Sequence, residues 1–294
     1  MSQSPARAGF GKTDVLLLLV VLIWAVNFSV VKFATSVFAP LAFSGLRVGV
    51  AATAFFLVAV ARSKPFPVRR DILTLMAFGM LGNGIYQLLF VFGVSKTNVA
   101  NAALIAAASP ALIAIASRIG RLEHIRRRVL AGIALSLFGV ALVVLGSAQS
   151  HGQTTFLGAL IVFCSTMCWA AFMILLGPYA RRLDPIHISS FTMLGGCIPM
   201  LIATPAALAA TDWSHVGAAA WAYVFYSSMI SMGVAYVFWY RGLSVLGPTR
   251  TAVYGNLQPV VAIVVAWIFL KETPTLWQGI GTGTIMTGVF LTRT

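Results

Sequence analysis

The chain has 294 residues, of which 60% are hydrophobic and only 9% charged, against about 25% charged in an ordinary soluble domain. That composition excludes a water-facing surface of normal extent. A formal net charge of +14 invites a nucleic-acid partner, but the placement of the charges speaks against one.

In chain order, apolar runs predict ten membrane spans near 15–34, 40–61, 72–93, 97–117, 129–147, 156–177, 186–208, 218–241, 248–270 and 275–292. Most have the length that a hydrocarbon core of about 30 Å requires. Long unbroken runs point to helices, because barrel strands would be short and alternating. The expected class is an all-α integral membrane protein of ten transmembrane helices, with short connections and no soluble domain. Arg7 and Lys12 precede the first run as in a signal peptide. That run is too long for one, and it is read as a retained span.

With the N-terminus assigned to the cytoplasm, sixteen of the twenty Lys and Arg fall on cytoplasmic segments. Lys32, Lys96 and Lys271 fall on the other side, and Arg47 lies within the second span. This is the positive-inside distribution, so both termini are expected in the cytoplasm. Basic runs such as Arg126-Arg127-Arg128 are then topology signals, and no nucleic acid is expected as a partner.

The chain also repeats itself. At an offset of 149, Gly84 matches Gly233, Gly93 matches Gly242, Pro110 matches Pro259, Glu123 matches Glu272, and Gly139 matches Gly288. At an offset of 145, Trp24 matches Trp169 and Pro40 matches Pro185. The expected organisation is a tandem duplication, residues 1–148 and 149–294. A unit of five spans is odd, so the second copy must enter the membrane from the opposite side. Two inverted five-helix repeats around a central cavity are a transporter construction, with substrate held near the midplane. Pro110 and Pro259 interrupt helical hydrogen bonding at matching depths. They are candidate gate or hinge positions, and packing kinks are the alternative.

A midplane site needs polar and aromatic groups on interior faces, since polar groups facing lipid are costly. Span one offers Trp24, Asn27 and Phe28. Span three offers Asn83, Tyr86, Gln87 and Phe90, with Asn83, Gln87 and Phe90 on one face. Span four adds Asn101 and Ser109, and span six adds Trp169 and Phe172. Span eight offers Tyr226, Ser227, Tyr236, Trp239 and Tyr240. Span nine adds Tyr254, Asn256 and Gln258. Aromatic faces can stack on a ring or hold a cation. The competing reading is an interfacial belt, above all for Trp213, Trp239, Tyr240 and Trp277.

Two cations lie within spans. Arg47 is about 10 Å deep at 1.5 Å per residue, where an Arg costs about 2.5–3.5 kcal/mol on insertion scales. It either serves the pathway, by shaping its potential or pairing a carboxylate, or caps helix carbonyls, the simpler expectation. Lys32 is near an end and can snorkel. All six acids, Asp14, Asp71, Glu123, Asp184, Asp212 and Glu272, fall at span ends or in loops, as do the four histidines. Tight proton coupling normally uses an ionisable relay in the membrane, so facilitated transport is expected. Cys164, Cys168 and Cys197 lie within spans and suggest neither metal nor disulfide. No catalytic motif is present, so no enzyme activity and no cofactor are expected.

The segment WAVNFSVVK in span one, GLR in span two, and the P…E…G…G series in both fourth-and-fifth span pairs resemble the EamA-type branch of the drug/metabolite transporter superfamily. The resemblance covers residues 14–292. Within that branch the chain is similar to bacterial inner-membrane exporters of aromatic amino acids. The resemblance implies a basket-like bundle, a central cavity and export of small metabolites by alternating access. The expected partners are a small-molecule substrate and the lipid bilayer of a bacterial inner membrane, with the protein acting as a monomer. Export of cationic aromatic drugs is the alternative within transport. A receptor or scaffold is the alternative outside it.

Overall fold

A computed structural model describes residues 11–62, 64–113, 131–132, 134–139, 141–142, 156–246, 251 and 254–293. Among them every regular element is a helix. The helices are α1 (Lys12–Ala34), α2 (Pro40–Ala61), α3 (Arg69–Ser95), α4 (Val99–Ile113), α5 (Phe156–Ala180), α6 (Pro185–Ala203), α7 (Ala218–Leu246), α8 (Gln258–Leu270) and α9 (Leu276–Arg293). Six of them, α1, α2, α3, α5, α6 and α7, are long and apolar enough to cross a membrane. The first four helices fall on the first four expected spans, and α5–α9 fall on the sixth to tenth. The fifth span is represented by helical residues within 131–142. The expected unit boundary at 148/149 and Glu123 lie outside the described residues.

Local chemistry sets the helix ends. Pro40 and Pro185 open α2 and α6 at the first turn, where a missing N–H costs nothing. Asp184 caps α6 by accepting from the Ile186 N–H at 2.9 Å, and Asn98 caps α4 by accepting from the Asn101 N–H at 2.7 Å. Sequence hydropathy carried the seventh span on to residue 208. The helix instead stops at Ala203, and a separate short helix, Pro205–Ala209, follows. Thr204 still bonds back to the Met200 carbonyl, but Pro205 has no N–H with which to carry the ladder further.

Two helices contain π-helical stretches. α3 contains a π-helical segment at Met80–Ile85, and α7 contains one at Tyr226–Val234. Such segments put the i→i−4 ladder out of register and free carbonyls for other partners. The helical run of α4 is broken at residues 107–108, just ahead of Pro110. A 3-10 turn, Gly255–Leu257, leads into α8 just ahead of Pro259.

The bundle packs α2 on α6, α3 on α5 and α6, α1 on α7 and α8, α2 on α7, and α4 on α5 and α8. The α3–α6 seam is tight because glycines let the backbones touch. A Cβ on Gly79 would sit 1.9 Å from the Thr192 carbonyl oxygen, and one on Gly195 would sit 2.0 Å from that of Met76. Close approach through small residues is how membrane helices associate without a hydrophobic drive between them. Leu57, Leu201, Ile202, Phe225 and Phe269 are all exposed, giving α2, α6, α7 and α8 the apolar outward faces that lipid demands.

Ionic contacts gather at the ends. The Arg182 guanidinium holds the buried Asp71 carboxylate through two bonds of 2.7 and 2.9 Å. Lys64 and Arg62 approach Asp184 at 2.8 and 3.3 Å. Elsewhere, Lys32 donates to the carbonyls of Thr97, Ser95 and Val94 at 2.7, 3.3 and 3.5 Å. It thereby takes up free acceptors at the C-terminal end of α3. Glu272 accepts from the Val99 N–H at 3.0 Å, at the start of α4.

Candidate functional site

Two apolar clusters fill the bundle. One is centred on Trp169, Tyr236, Trp239 and Tyr240, the other on Phe28, Phe38, Phe43 and Phe90. A cavity lies where they meet, with walls from both. About 60 Å³ of it admits the centres of water-sized molecules, and all non-atom space including its mouth comes to about 580 Å³. The first figure exceeds what one water needs, while small-molecule pockets usually run from about 300 to 1,000 Å³. As it stands the cavity is constricted by its own aromatic side chains.

Those side chains form a connected cage. Trp24 on α1 meets Trp169 on α5 edge to face, with ring centroids 5.8 Å apart and planes at 87°. It meets Tyr236 on α7 at the same separation and 82°. Tyr86 on α3 leans on Trp169 at 5.1 Å and on Phe90 at 5.7 Å, and Phe90 meets Phe28 at 5.2 Å. Edge-to-face contacts of this kind are worth about 0.5–1.5 kcal/mol each beyond their buried area. The Trp24 indole N–H donates to the Ser231 carbonyl at 3.0 Å. That oxygen belongs to the π-helical segment of α7, so the helix irregularity orients the ring.

Polar groups enter the same wall. Gln87 donates through Nε2 to the Tyr236 hydroxyl at 3.0 Å, a bond between residues 149 positions apart. Asn27 accepts from the Ser227 hydroxyl at 2.8 Å. Gln258 on α8 and Ser109 beside Pro110 also reach the cavity. Arg47 is 1% exposed, and its Nε and Nη1 have no hydrogen-bond partner among the described residues. Its guanidinium carbon lies 5.8 Å from the centroid of Phe43 and 5.9 Å from that of Phe90. The simpler expectation, that Arg47 caps carbonyls, is therefore corrected: Lys32 does the capping, and Arg47 has Nε and Nη1 uncommitted.

Of the residues singled out from the sequence, the structure brings Trp24, Asn27, Phe28, Arg47, Tyr86, Gln87, Phe90, Trp169, Tyr236 and Gln258 to this one cavity. Others go elsewhere for identifiable reasons. Tyr226 donates its hydroxyl to the Ile23 carbonyl at 3.0 Å. Trp239 lies behind Trp24, with centroids 4.8 Å apart, and its N–H points at the Met173 sulfur. Asn101 holds the Gln278 amide at 2.8 Å, and Tyr254 donates to Asp14. Asn83 is fully buried against Gly196 at the helix seam. Asn256 sits in the 3-10 turn, and its side chain lies outside the described residues. Pro110 stands just after the break in α4, and Pro259 stands in the first turn of α8. Trp239 and Tyr240 are buried, whereas Trp213 and Trp277 are exposed, so a belt position suits only the latter two.

Sequence reasoning missed Ser165, Thr166, Ser231 and Ala106, all at the cavity wall. Ser165 and Thr166 precede Trp169 by four and three residues, so helical periodicity alone places them on its face. Ser231 had no such signal, because a π segment shifts the facing of its helix.

The model of the EamA-like transporter family matches residues 11–145 and 156–294. The chain belongs to this family. Among its relatives is the uncharacterized transporter YyaM of Bacillus subtilis, 25% identical over 90% of this chain and 87% of that protein. Another is a probable terminal-alkyne amino-acid exporter of Streptantibioticus cattleyicolor, 22% identical over 94% of this chain and 91% of that one. A crystal structure 17% identical in sequence shares the fold at a TM-score of 0.64, over 95% of this chain and 96% of that one. This EamA-family chain is thus a multi-pass membrane transporter, and its cavity is the place to look for substrate.

Proposed function

We propose that the chain is an alternating-access carrier that exports neutral, chiefly aromatic amino acids and related small metabolites across a bacterial inner membrane, both termini being cytoplasmic. The observation that carries this reading is the cavity wall. It combines an aromatic cage (Trp24, Tyr86, Trp169, Tyr236) with amides and hydroxyls, near the middle of long apolar helices. Such a wall suits a ring plus a small polar head. The amino-acid exporter among the relatives supports the substrate class.

Alternating access here rests on two inverted five-span units. The packing pairs support it. Exchanging α1–α4 with α5–α8 turns α3–α5 into α7–α1, α3–α6 into α7–α2, and α4–α5 into α8–α1, each of which is itself a contact. Gln87 and Tyr236 meet across the 149-residue offset, as do the Ser136 hydroxyl and the Ile285 carbonyl. The family model falls on two stretches of nearly equal length. The breaks before Pro110 and Pro259 match at the same offset, which suits paired hinges.

Among the described residues lining the cavity there is no carboxylate or histidine. This supports facilitated export rather than tight proton coupling, and it disfavours a cationic drug as cargo. The test is counterflow in liposomes holding the purified protein, with labelled phenylalanine outside and unlabelled amino acids within. Uptake driven by internal phenylalanine or tryptophan, and abolished by Trp169→Ala, is the expected result. Absence of counterflow with every amino acid would end the substrate reading.

A further inference from the structure

Arg47 is a buried cation whose Nε and Nη1 have no partner among the described residues. A guanidinium is not deprotonated in a protein, so its burial must be offset by something that binds it. The centroids of the Phe43 and Phe90 rings lie 5.8 and 5.9 Å from its central carbon, and neither ring carries an oxygen or nitrogen acceptor. A second group on the same wall has the opposite deficiency. Gln87 donates to Tyr236, yet its Oε1 is buried with no partner among the described residues. Arg47 stands on α2 and Gln87 on α3, and these helices pack against each other beside the cavity. The wall therefore shows an idle planar donor fork and an idle acceptor at one site. The 145-residue offset puts Thr192 opposite Arg47 in the other unit, so the positive charge is single and one-sided.

From this pairing we infer that Arg47 is the anchor for the carboxylate of the transported amino acid, and that Gln87 Oε1 receives its ammonium group. The inference rests on the proposed amino-acid cargo and specifies how it is read. A carboxylate matches the guanidinium fork with two parallel bonds, and an ammonium fills an amide oxygen. The side chain of the substrate is left facing Trp24, Tyr86 and Trp169. Selectivity for an α-amino acid over an amine or an amide then comes from buried donors that the wrong ligand would leave unpaired.

The experiment measures quenching of intrinsic tryptophan fluorescence in the purified full chain, backed by counterflow. The ligands are L-phenylalanine, 3-phenylpropionate, phenethylamine and phenylalaninamide. Phenylalanine is expected to bind best, phenylpropionate next, and the two ligands lacking a carboxylate about tenfold or more weakly. Arg47→Gln should erase that preference, and Arg47→Lys should restore part of it. Gln87→Leu should weaken phenylalanine but spare phenylpropionate. Arg47→Gln and Arg47→Met are expected to keep or raise the melting temperature, which a structural arginine would not do. Equal binding of phenylalanine and its amide to the wild type would overturn the anchor while leaving amino-acid export standing, as would an unchanged preference in Arg47→Gln. Arg47-dependent binding of phenylpropionate, without binding or counterflow of any amino acid, would do the reverse. Binding of none of the four ligands would overturn the anchor as well.

Discussion

Lys32 and Arg47 stand fifteen residues apart in one bundle, each a cation inside an apolar helix. Lys32 gives its ammonium protons to three carbonyls at the C-terminal end of α3, and so serves the fold. Arg47, at 1% exposure, finds rings but, among the described residues, no acceptor for Nε and Nη1. A fold has no use for a buried charge left in that condition. The difference teaches that a charge in a membrane helix is not itself a sign of function. What distinguishes the two is whether the surrounding chain satisfies the charge.

The sharpest way to break this comparison is to remove both charges. Lys32→Met orphans carbonyl groups in a partly buried place, at about 1–3 kcal/mol, so its melting temperature in detergent should fall. Arg47→Met replaces a buried unpaired cation with an apolar chain of similar length. Removing a buried charge that lacks acceptors also removes its desolvation cost, so its melting temperature should hold or rise. Two shifts of the same downward sign would show that Arg47 is a structural residue after all.

A smaller effect tests the cavity from its other side. Tyr236→Phe removes the hydroxyl that takes the Gln87 amide proton and leaves a second buried group unpaired. The expected cost is about 1–3 kcal/mol. Because the two sites share no partner, the double variant Lys32→Met/Tyr236→Phe should be additive to about 0.5 kcal/mol. Strong coupling between them in thermal unfolding would mean that the cavity and the capping network form one structure.

The fold was largely legible in the sequence, because apolar length and proline placement are local signals. The second expected span, 40–61, coincides with α2 because Pro40 marks its start. The irregular helix segments were not legible. No residue type announces a π turn, yet those turns decide which way Ser231 faces and which carbonyl Trp24 finds. The candidate site was legible where aromatic residues recur across the repeat, as with Trp24 and Trp169. It failed for Tyr226, Tyr254 and Asn101. A polar group in an apolar helix reads as cavity lining from sequence, but a neighbouring carbonyl, carboxylate or amide satisfies it equally well. Partners far along the chain cannot be read from local pattern, and the same gap hid the opposite fates of Lys32 and Arg47.

The smallest expected effects come from two loop carboxyls that extend the comparison to acids. Glu272 is held above its ordinary value near 4.5, burial outweighing the Val99 N–H and the Lys32 charge. Asp184 is held below 3.8, because Lys64, the Ile186 N–H and Arg62 together outweigh its burial. The signs therefore oppose. The stability contributed by Glu272 is full below its unfolded value and is lost as pH rises through the raised folded value. That of Asp184 is present above its unfolded value and is lost as pH falls through the lowered one. Melting temperatures of wild type minus Glu272→Gln should thus decline on going up from about pH 4.5. Wild type minus Asp184→Asn should decline on going down through pH 3.8. Asp184 is partly exposed, so salt should shrink its slope more than that of Glu272. Slopes of the same sign would mean that the Val99 N–H and Lys32 charge outweigh burial at Glu272, making it, like Lys32, a group the fold has fully satisfied.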